Sequence, residues 1–130
     1  MSYAHILVAV DLSESSKIVI DKAIKQARDS NSKLSFVYVD VDRVVLEPKE
    51  EQELHQKLQD LADQCGYPVG EVMVVIGDLH IKLKGLVKKS SIDLVVCGHH
   101  HNLLSRLFSV VPKVANAVEA DMLVVYLHDE

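Results

Sequence analysis

Cysteine is scarce in this sequence. Only Cys65 and Cys97 occur among its 130 residues, and no C-x-x-C motif is present. Neither a disulfide-linked scaffold nor a zinc ribbon is therefore indicated. Cys97 ends an apolar run, which predicts a small buried hydrophobic residue.

Long apolar runs and blocks of positive charge are also lacking. No apolar run approaches the roughly 20 residues that cross a bilayer, and residues 1–5 lead into a strand pattern without a secretory signal. The formal net charge is −5, and the cluster of lysines in residues 82–89 falls in a helical pattern that predicts a solvated helix face. We therefore expect a protein of the reducing cytoplasm that binds neither nucleic acid nor a membrane.

The sequence has no internal repeat, low-complexity segment or linker, and 48% of its residues are hydrophobic. We expect one domain over residues 1–130. Apolar runs predict five strands, at residues 4–10, 34–39, 72–76, 94–97 and 122–127. Helical stripes between them, in residues 19–27, 54–65, 79–87 and 111–118, predict four helices, the second ended by Gly66. This alternation predicts an α/β fold, a doubly wound open parallel five-stranded sheet with helices on both faces.

The most informative stretch is residues 92–108, where an apolar strand is predicted to break at Gly98 and three histidines follow. In such folds ligands bind beyond the carboxyl ends of the strands, where the strand order reverses. If the first and fourth strands are neighbours, the loop from Asp11 faces the loop from Gly98 to Arg106. Asp11 can then accept a hydrogen bond from a ligand, or it can serve only to start the following helix.

Motifs that identify common enzymes are missing. The sequence contains neither H-E-x-x-H nor G-x-S-x-G, and neither of the glycine-rich phosphate motifs G-x-x-x-x-G-K-[ST] and G-x-G-x-x-G. Three adjacent histidines, His99 to His101, invite a metal hypothesis, but neighbouring loop side chains point in different directions. Histidines that bond to backbone or solvent are the simpler explanation, and nothing here identifies an enzyme.

Five segments together resemble the universal stress protein family. They are the opening His-Ile-Leu-Val-Ala-Val-Asp-Leu-Ser and residues 34–40, 76–78, 92–100 and 122–127. The resemblance implies a Rossmann-like sheet, of the kind found in adenine nucleotide alpha hydrolases, with strand order 3-2-1-4-5. It also implies a cytoplasmic dimer that is induced under stress or growth arrest, and a possible phosphoprotein.

One branch of that family binds ATP through glycine, two residues, glycine, nine residues, glycine, then serine or threonine. Gly98 matches the first position, but His101, Val111 and Pro112 occupy the others. A β-carbon obstructs the close approach of backbone N–H groups to phosphate, and proline has no N–H. The chain therefore resembles the other branch, the universal stress protein A type.

The resemblance leaves a vestigial nucleotide cleft as the candidate site. Its residues are Asp11, Val39, Gly98, His99, His100 and Arg106. The leading hypothesis is a homodimer that acts through contacts with unidentified proteins, with no cofactor and no catalysis. A nucleotide-binding switch for ATP or AMP, using a variant loop, is the alternative, and an enzyme or metal-binding protein is a third.

The last strand is the predicted dimer interface. It is apolar on both faces and lies at the sheet edge in the order 3-2-1-4-5. No lysine or proline interrupts it, so its free edge is suited to antiparallel pairing about a two-fold axis. The interface residues are Met122, Leu123, Val124, Val125, Tyr126 and Leu127.

Overall fold

A computed structural model describes residues 3–10, 12, 16–40, 47–76, 79–99 and 120–126. Up to residue 99 strands and helices alternate as expected for an α/β fold. In chain order the elements are β1 (His5–Val10), α1 (Ser16–Ser30), β2 (Lys33–Asp40), α2 (Pro48–Gln64), β3 (Val69–Ile76), α3 (Leu79–Ser90), β4 (Leu94–His99) and β5 (Asp121–Tyr126). The predicted fourth helix, in residues 111–118, lies outside the described residues.

The five strands form one sheet in the order β3-β2-β1-β4-β5, and all four neighbouring pairs are parallel. The predicted fold class and strand order are confirmed. β1 lies at the centre and is apolar from Ile6 to Val10, so this part of the strand can be buried on both faces. β3 and β5 form the two edges.

The core lies in two layers, one on each face of the sheet. Ile6 and Val8 of β1 pack with α1 and α2 on one face, where Ala23 and Leu58 are fully buried. Leu7 points to the opposite face, where the buried residues include Val37 and Val87. Successive side chains of a strand alternate between faces, which explains why β1 shows no polar side. α3 therefore lies opposite α1 and α2.

The second helix begins at Pro48, and Glu50 and Glu51 lie in its first turn, near the positive end of the helix dipole. Proline suits this first position because its missing N–H has no partner within the helix there. Gly66 has a φ of +81°, which confirms the prediction that it ends the helix in a left-handed conformation.

Every strand differs from its predicted range by at least one residue, and the start of β3 and the end of β4 differ most. β3 begins at Val69 instead of residue 72, because pairing with Leu34 extends the strand through Gly70, a poor strand former. β5 runs from Asp121 to Tyr126, and Leu127 lies outside the described residues. The prediction that β4 breaks at Gly98 is wrong, since Gly98 pairs with Val125 and His99 with Tyr126.

Candidate functional site

The crevice expected in a doubly wound sheet lies between β1 and β4. These strands are neighbours, with Ile6 opposite Leu94 and Val8 opposite Val96. The chain passes from β1 to β2 on one side, and β4 and β5 lie on the other, so the strand order reverses at this point. Ligands of open α/β sheets bind beyond the carboxyl ends of such a pair. The candidate site was predicted on the condition that the first and fourth strands are neighbours, and this condition is met.

Leu12 gives the loop after β1 an unusual backbone. Its φ is +65°, in the left-handed region that side chains other than glycine and asparagine rarely adopt. The half-buried Leu12 side chain packs against the core formed by β1 and α1. That packing offsets the backbone strain and fixes the chain as it leaves β1. Sequence reasoning missed this residue because leucine carries no signal for a positive φ.

Cys97 lies next to Gly98 near the carboxyl end of β4. The residue is only 8% exposed, and burial raises the pKa of its thiol to about 11. A thiol with so high a pKa is protonated at neutral pH and is a poor nucleophile. The prediction of a small buried hydrophobic residue is confirmed.

β5 has β4 as its strand partner on one side, and the described residues place no strand on its other side. The N–H of Asp121 donates to the carbonyl of Asp93 over 3.0 Å. Main-chain groups point alternately to the two sides of a strand, so those of Leu123 and Val125 also face β4. Those of Met122, Val124 and Tyr126 face the free edge.

Side chains of β5 differ in burial. Val125 is 7% exposed and belongs to the core, whereas Val124 is 38% exposed. Met122 and Leu123 are half-buried against opposite core layers. The free edge therefore combines outward main-chain groups with an exposed apolar side chain.

Polar groups gather at the opposite end of the sheet, where the strands begin. We call the side chains of Tyr3, His5, Ser35, Asp93 and Asp121, together with the carbonyl group of Ser90, the amino-end cluster. The two carboxylate oxygens of Asp93 accept the main-chain N–H groups of Ala4 and His5, over 2.9 and 3.0 Å. The Tyr3 hydroxyl donates to Asp121 over 2.9 Å, and this bond raises the pKa of Tyr3.

His5 is buried within this cluster, and both of its ring nitrogens have partners. Nδ1 lies 2.9 Å from the carbonyl oxygen of Ser90, the last residue of α3. Nε2 lies 2.8 Å from the hydroxyl of Ser35. A carbonyl can only accept, so Nδ1 carries the hydrogen, and in the neutral ring Nε2 accepts from Ser35. The buried ring thus joins β1, β2 and the end of α3. Its hydrogen bonds stabilise the fold.

Comparison with known proteins identifies the family. A family model described as "Universal stress protein family" matches residues 2–126. The chain belongs to the universal stress protein family. Universal stress protein A of Salmonella typhimurium and that of Escherichia coli K12 are each 40% identical over 142 aligned positions, which cover 100% of this chain and 99% of each relative.

Solved structures of universal stress proteins share the fold. One, a complex with cAMP, is 26% identical with a TM-score of 0.72 and covers 97% of this chain and 98% of its own. A protein of Archaeoglobus fulgidus in complex with dAMP is 18% identical with a TM-score of 0.71, covering 96% of this chain and 99% of its own. At that identity the second likeness supports the Rossmann-like fold alone.

The predicted cleft residues of this universal stress protein are only partly described. Gly98 lies half-buried in β4, Val39 lies in β2 opposite Val75, and the backbone of His99 ends β4. Asp11, His100 and Arg106 lie outside the described residues, so the cleft stays a prediction. His101 also lies outside them, so the hypothesis of a metal site at His99 to His101 is not tested. Among the residues that are described, no cluster of three potential metal ligands occurs, and no helix is long and apolar enough to cross a bilayer.

Proposed function

We propose that this chain is a cytoplasmic, homodimeric universal stress protein that acts through protein contacts in the response to stress or growth arrest. In this proposal it has no catalytic activity and binds ATP weakly or not at all. The free edge of β5, where Val124 is exposed and the outward main-chain groups have no partner strand among the described residues, is the observation that supports it most strongly.

A two-fold axis beside β5 brings two copies of the strand together in antiparallel orientation. The outward N–H and C=O groups of Met122, Val124 and Tyr126 then pair across the axis. Exposed strand edges of this kind recruit another strand unless charge, proline or a bulge prevents it. Burial of the exposed Val124 side chain adds an apolar contribution of roughly 25 cal/mol per Å² before the costs of association.

Sedimentation equilibrium at micromolar concentration tests the dimer. The expected result is twice the chain mass of 14.5 kDa. A monomer mass for the unmodified chain at these concentrations contradicts the proposal.

Weak ATP binding is proposed from the residues that replace the phosphate motif. Of the four motif positions only Gly98 is retained, and Pro112 supplies neither an N–H nor a hydroxyl. Isothermal titration with Mg-ATP is the test, and a dissociation constant of about 1 μM contradicts the proposal. Substitution of His101 and Val111 by glycine together with Pro112→Ser is expected to create binding.

A nucleotide-binding switch is the second candidate function. It is favoured by the cAMP complex of the 26% identical universal stress protein and by the crevice between β1 and β4. Titration of the purified chain with cAMP, AMP and ATP, after analysis for co-purified nucleotide, separates the two candidates. Saturable binding of any of the three at micromolar concentration supports the switch.

A further inference from the structure

We infer that Tyr3 and Asp93 are positioning residues that hold the start of β5 in register and so keep its free edge ready for pairing. The inference rests on the proposed function, because that edge is the proposed dimer interface. Neither residue belongs to β5, and neither lies at the crevice between β1 and β4.

Asp93 joins three strands at their amino ends. Its main-chain N–H donates to the carbonyl of His5 over 3.1 Å, and its own carbonyl accepts the N–H of Asp121 over 3.0 Å. Its carboxylate also accepts the N–H groups of Ala4 and His5, one on each oxygen. The residue therefore sets β1, β4 and β5 relative to one another, just before the first ladder pair of β4 and β5, Leu94 and Asp121.

Tyr3 supplies the second contact to the start of β5. Its hydroxyl donates to the Asp121 carboxylate, while its side chain packs against the core. The main-chain carbonyl of Tyr3 accepts a hydrogen bond from the Ser32 hydroxyl, which ties this residue to the start of β2. Asp121 is thus bound through its backbone to Asp93 and through its side chain to Tyr3.

These two contacts matter more for β5 than similar contacts would for an inner strand. β5 has only six residues and is paired with β4 alone among the described residues. A strand held at its start keeps Met122 and Val124 extended before a second copy arrives. The second copy then does not have to order the strand, so association loses less conformational entropy.

Tyr67 provides a matched control on the other side of the sheet. Its hydroxyl donates to the carbonyl of Ser32 over 2.5 Å, and the carbonyl of Ala27 lies 3.5 Å away. Tyr67 precedes β3, and its two partners lie in the last turn of α1 and just after that helix. Within the part of the chain that the structure describes, it has no hydrogen bond to β4 or β5. Tyr3→Phe and Tyr67→Phe therefore each remove one hydroxyl donor, at opposite ends of the strand order.

Hydrogen exchange of backbone amides in the full-length chain tests the inference. Tyr3→Phe is expected to speed exchange at Asp121, Leu123 and Val125 about fivefold, the factor that the loss of one net hydrogen bond gives, and to leave β2 and β3 unchanged. Tyr67→Phe is expected to leave the β5 amides unchanged. Asp93→Asn places an amide N–H₂ against a main-chain N–H, so a larger increase is expected in β5.

Equal exchange at the β5 amides in Tyr3→Phe and in the unmodified chain overturns the inference, as does an equal acceleration in Tyr67→Phe. Sedimentation of the same proteins separates the inference from the proposed function. A dimer that Tyr3→Phe weakens about threefold or more, and that Tyr67→Phe leaves intact, supports both. An unmodified chain that is monomeric refutes the dimer, whereas the exchange pattern still decides whether Tyr3 and Asp93 position β5.

Discussion

The two edges of the sheet differ in the features that control strand pairing. β3 carries an irregularity between Leu34 and Ser35 of its partner, where Gly70 is the extra residue, and the exposed Glu71 follows it. The side chain of Lys33 also lies over Gly70, since a β-carbon built there would meet Lys33 Cε at 2.9 Å. Bulges and charges of this kind discourage the addition of another strand. The described residues of β5 show neither a bulge nor a charge between Met122 and Val125. The β5 edge of the sheet is therefore better suited to self-association than the β3 edge.

Among the substitutions that test this difference between the edges, Val124→Pro is expected to weaken the proposed dimer most. Proline removes an N–H that faces the free edge and leaves the ladder to β4 intact. Two copies of the change remove two hydrogen bonds from the dimer, so the dissociation constant is expected to rise about 25-fold or more. Sedimentation equilibrium measures it.

Two control variants accompany that change. Val124→Ala keeps the N–H and is expected to weaken the dimer much less. Val125→Pro removes an N–H that faces β4, so it is expected to lower the stability of the fold itself. If Val124→Pro and Val124→Ala weaken the dimer equally, then main-chain pairing through β5 does not hold it together.

Cys97 pairs with Val124 of β5. We expect this cysteine to make the free energy of unfolding depend on pH in the alkaline range. Its pKa rises from 9.0 to about 11 on folding, so the folded state holds the thiol proton more tightly than the unfolded state. The resulting stability is fully present below pH 9 and is lost as the pH rises from 9 to 11. The two units correspond to roughly 2–3 kcal/mol of unfolding free energy.

Urea unfolding at a series of pH values measures that loss. Cys97→Ala is expected to flatten the decline between pH 9 and 11, although it lowers stability at neutral pH by creating a small cavity. Cys65→Ala is the control, because Cys65 is half-buried and lies outside the sheet. An unchanged alkaline decline in Cys97→Ala contradicts the assignment.

Substitution by alanine is expected to lower stability at Gly66, which precedes β3, but to have little effect at Gly70 within it. Gly66 has open space around it but a φ of +81°, so Gly66→Ala is expected to lower the unfolding free energy by about 1 kcal/mol. At Gly70 the close atom is the far end of a flexible lysine, which can move aside, so Gly70→Ala is expected to change stability by less than about 0.5 kcal/mol. Thermal unfolding compares the two, and a larger loss at Gly70 would show that the bulge requires glycine.

Glu71→Val is expected to have the smallest effect. It removes the charge on the β3 edge but keeps the bulge and the Lys33 side chain, so self-association at high concentration is expected to rise only about twofold, or roughly 0.5 kcal/mol. Glu71→Gln is the polar control. Species much larger than a dimer in sedimentation velocity would show that Glu71 alone keeps this edge unpaired.

Local patterns in the sequence were sufficient for most of the fold. The apolar run in β1 predicts a strand buried on both faces, and the order of strands follows from alternation together with the family resemblance. The start of β3 was missed because Gly70 and Glu71 are poor strand formers, and pairing with Leu34 and Ser35 overrides that preference. The end of β4 was missed for the same reason, since pairing with β5 carries the strand past Gly98.

The polar contacts at the amino ends of the strands had no signal in the sequence. Tyr3 and Asp121 are 118 positions apart, and a hydrogen bond over such a separation leaves no local periodicity. Leu12 was missed because its positive φ is imposed by the fold and not by its side chain. At the crevice, sequence reasoning correctly made the candidate site depend on contact between β1 and β4. Asp11, His100 and Arg106, which were predicted to line it, lie outside the described residues.

The central position of β1 has a consequence during synthesis on the ribosome. β2 follows β1 closely, but the other neighbour, β4, ends at His99, 59 residues beyond Asp40. At about 5–20 residues per second, roughly 3–12 s pass between the emergence of the two strands. During that interval the side of Ile6 to Val10 that later pairs with β4 is an unpaired apolar edge, and such edges promote aggregation. The central strand of the finished protein is therefore exposed to aggregation for several seconds while the chain is being made.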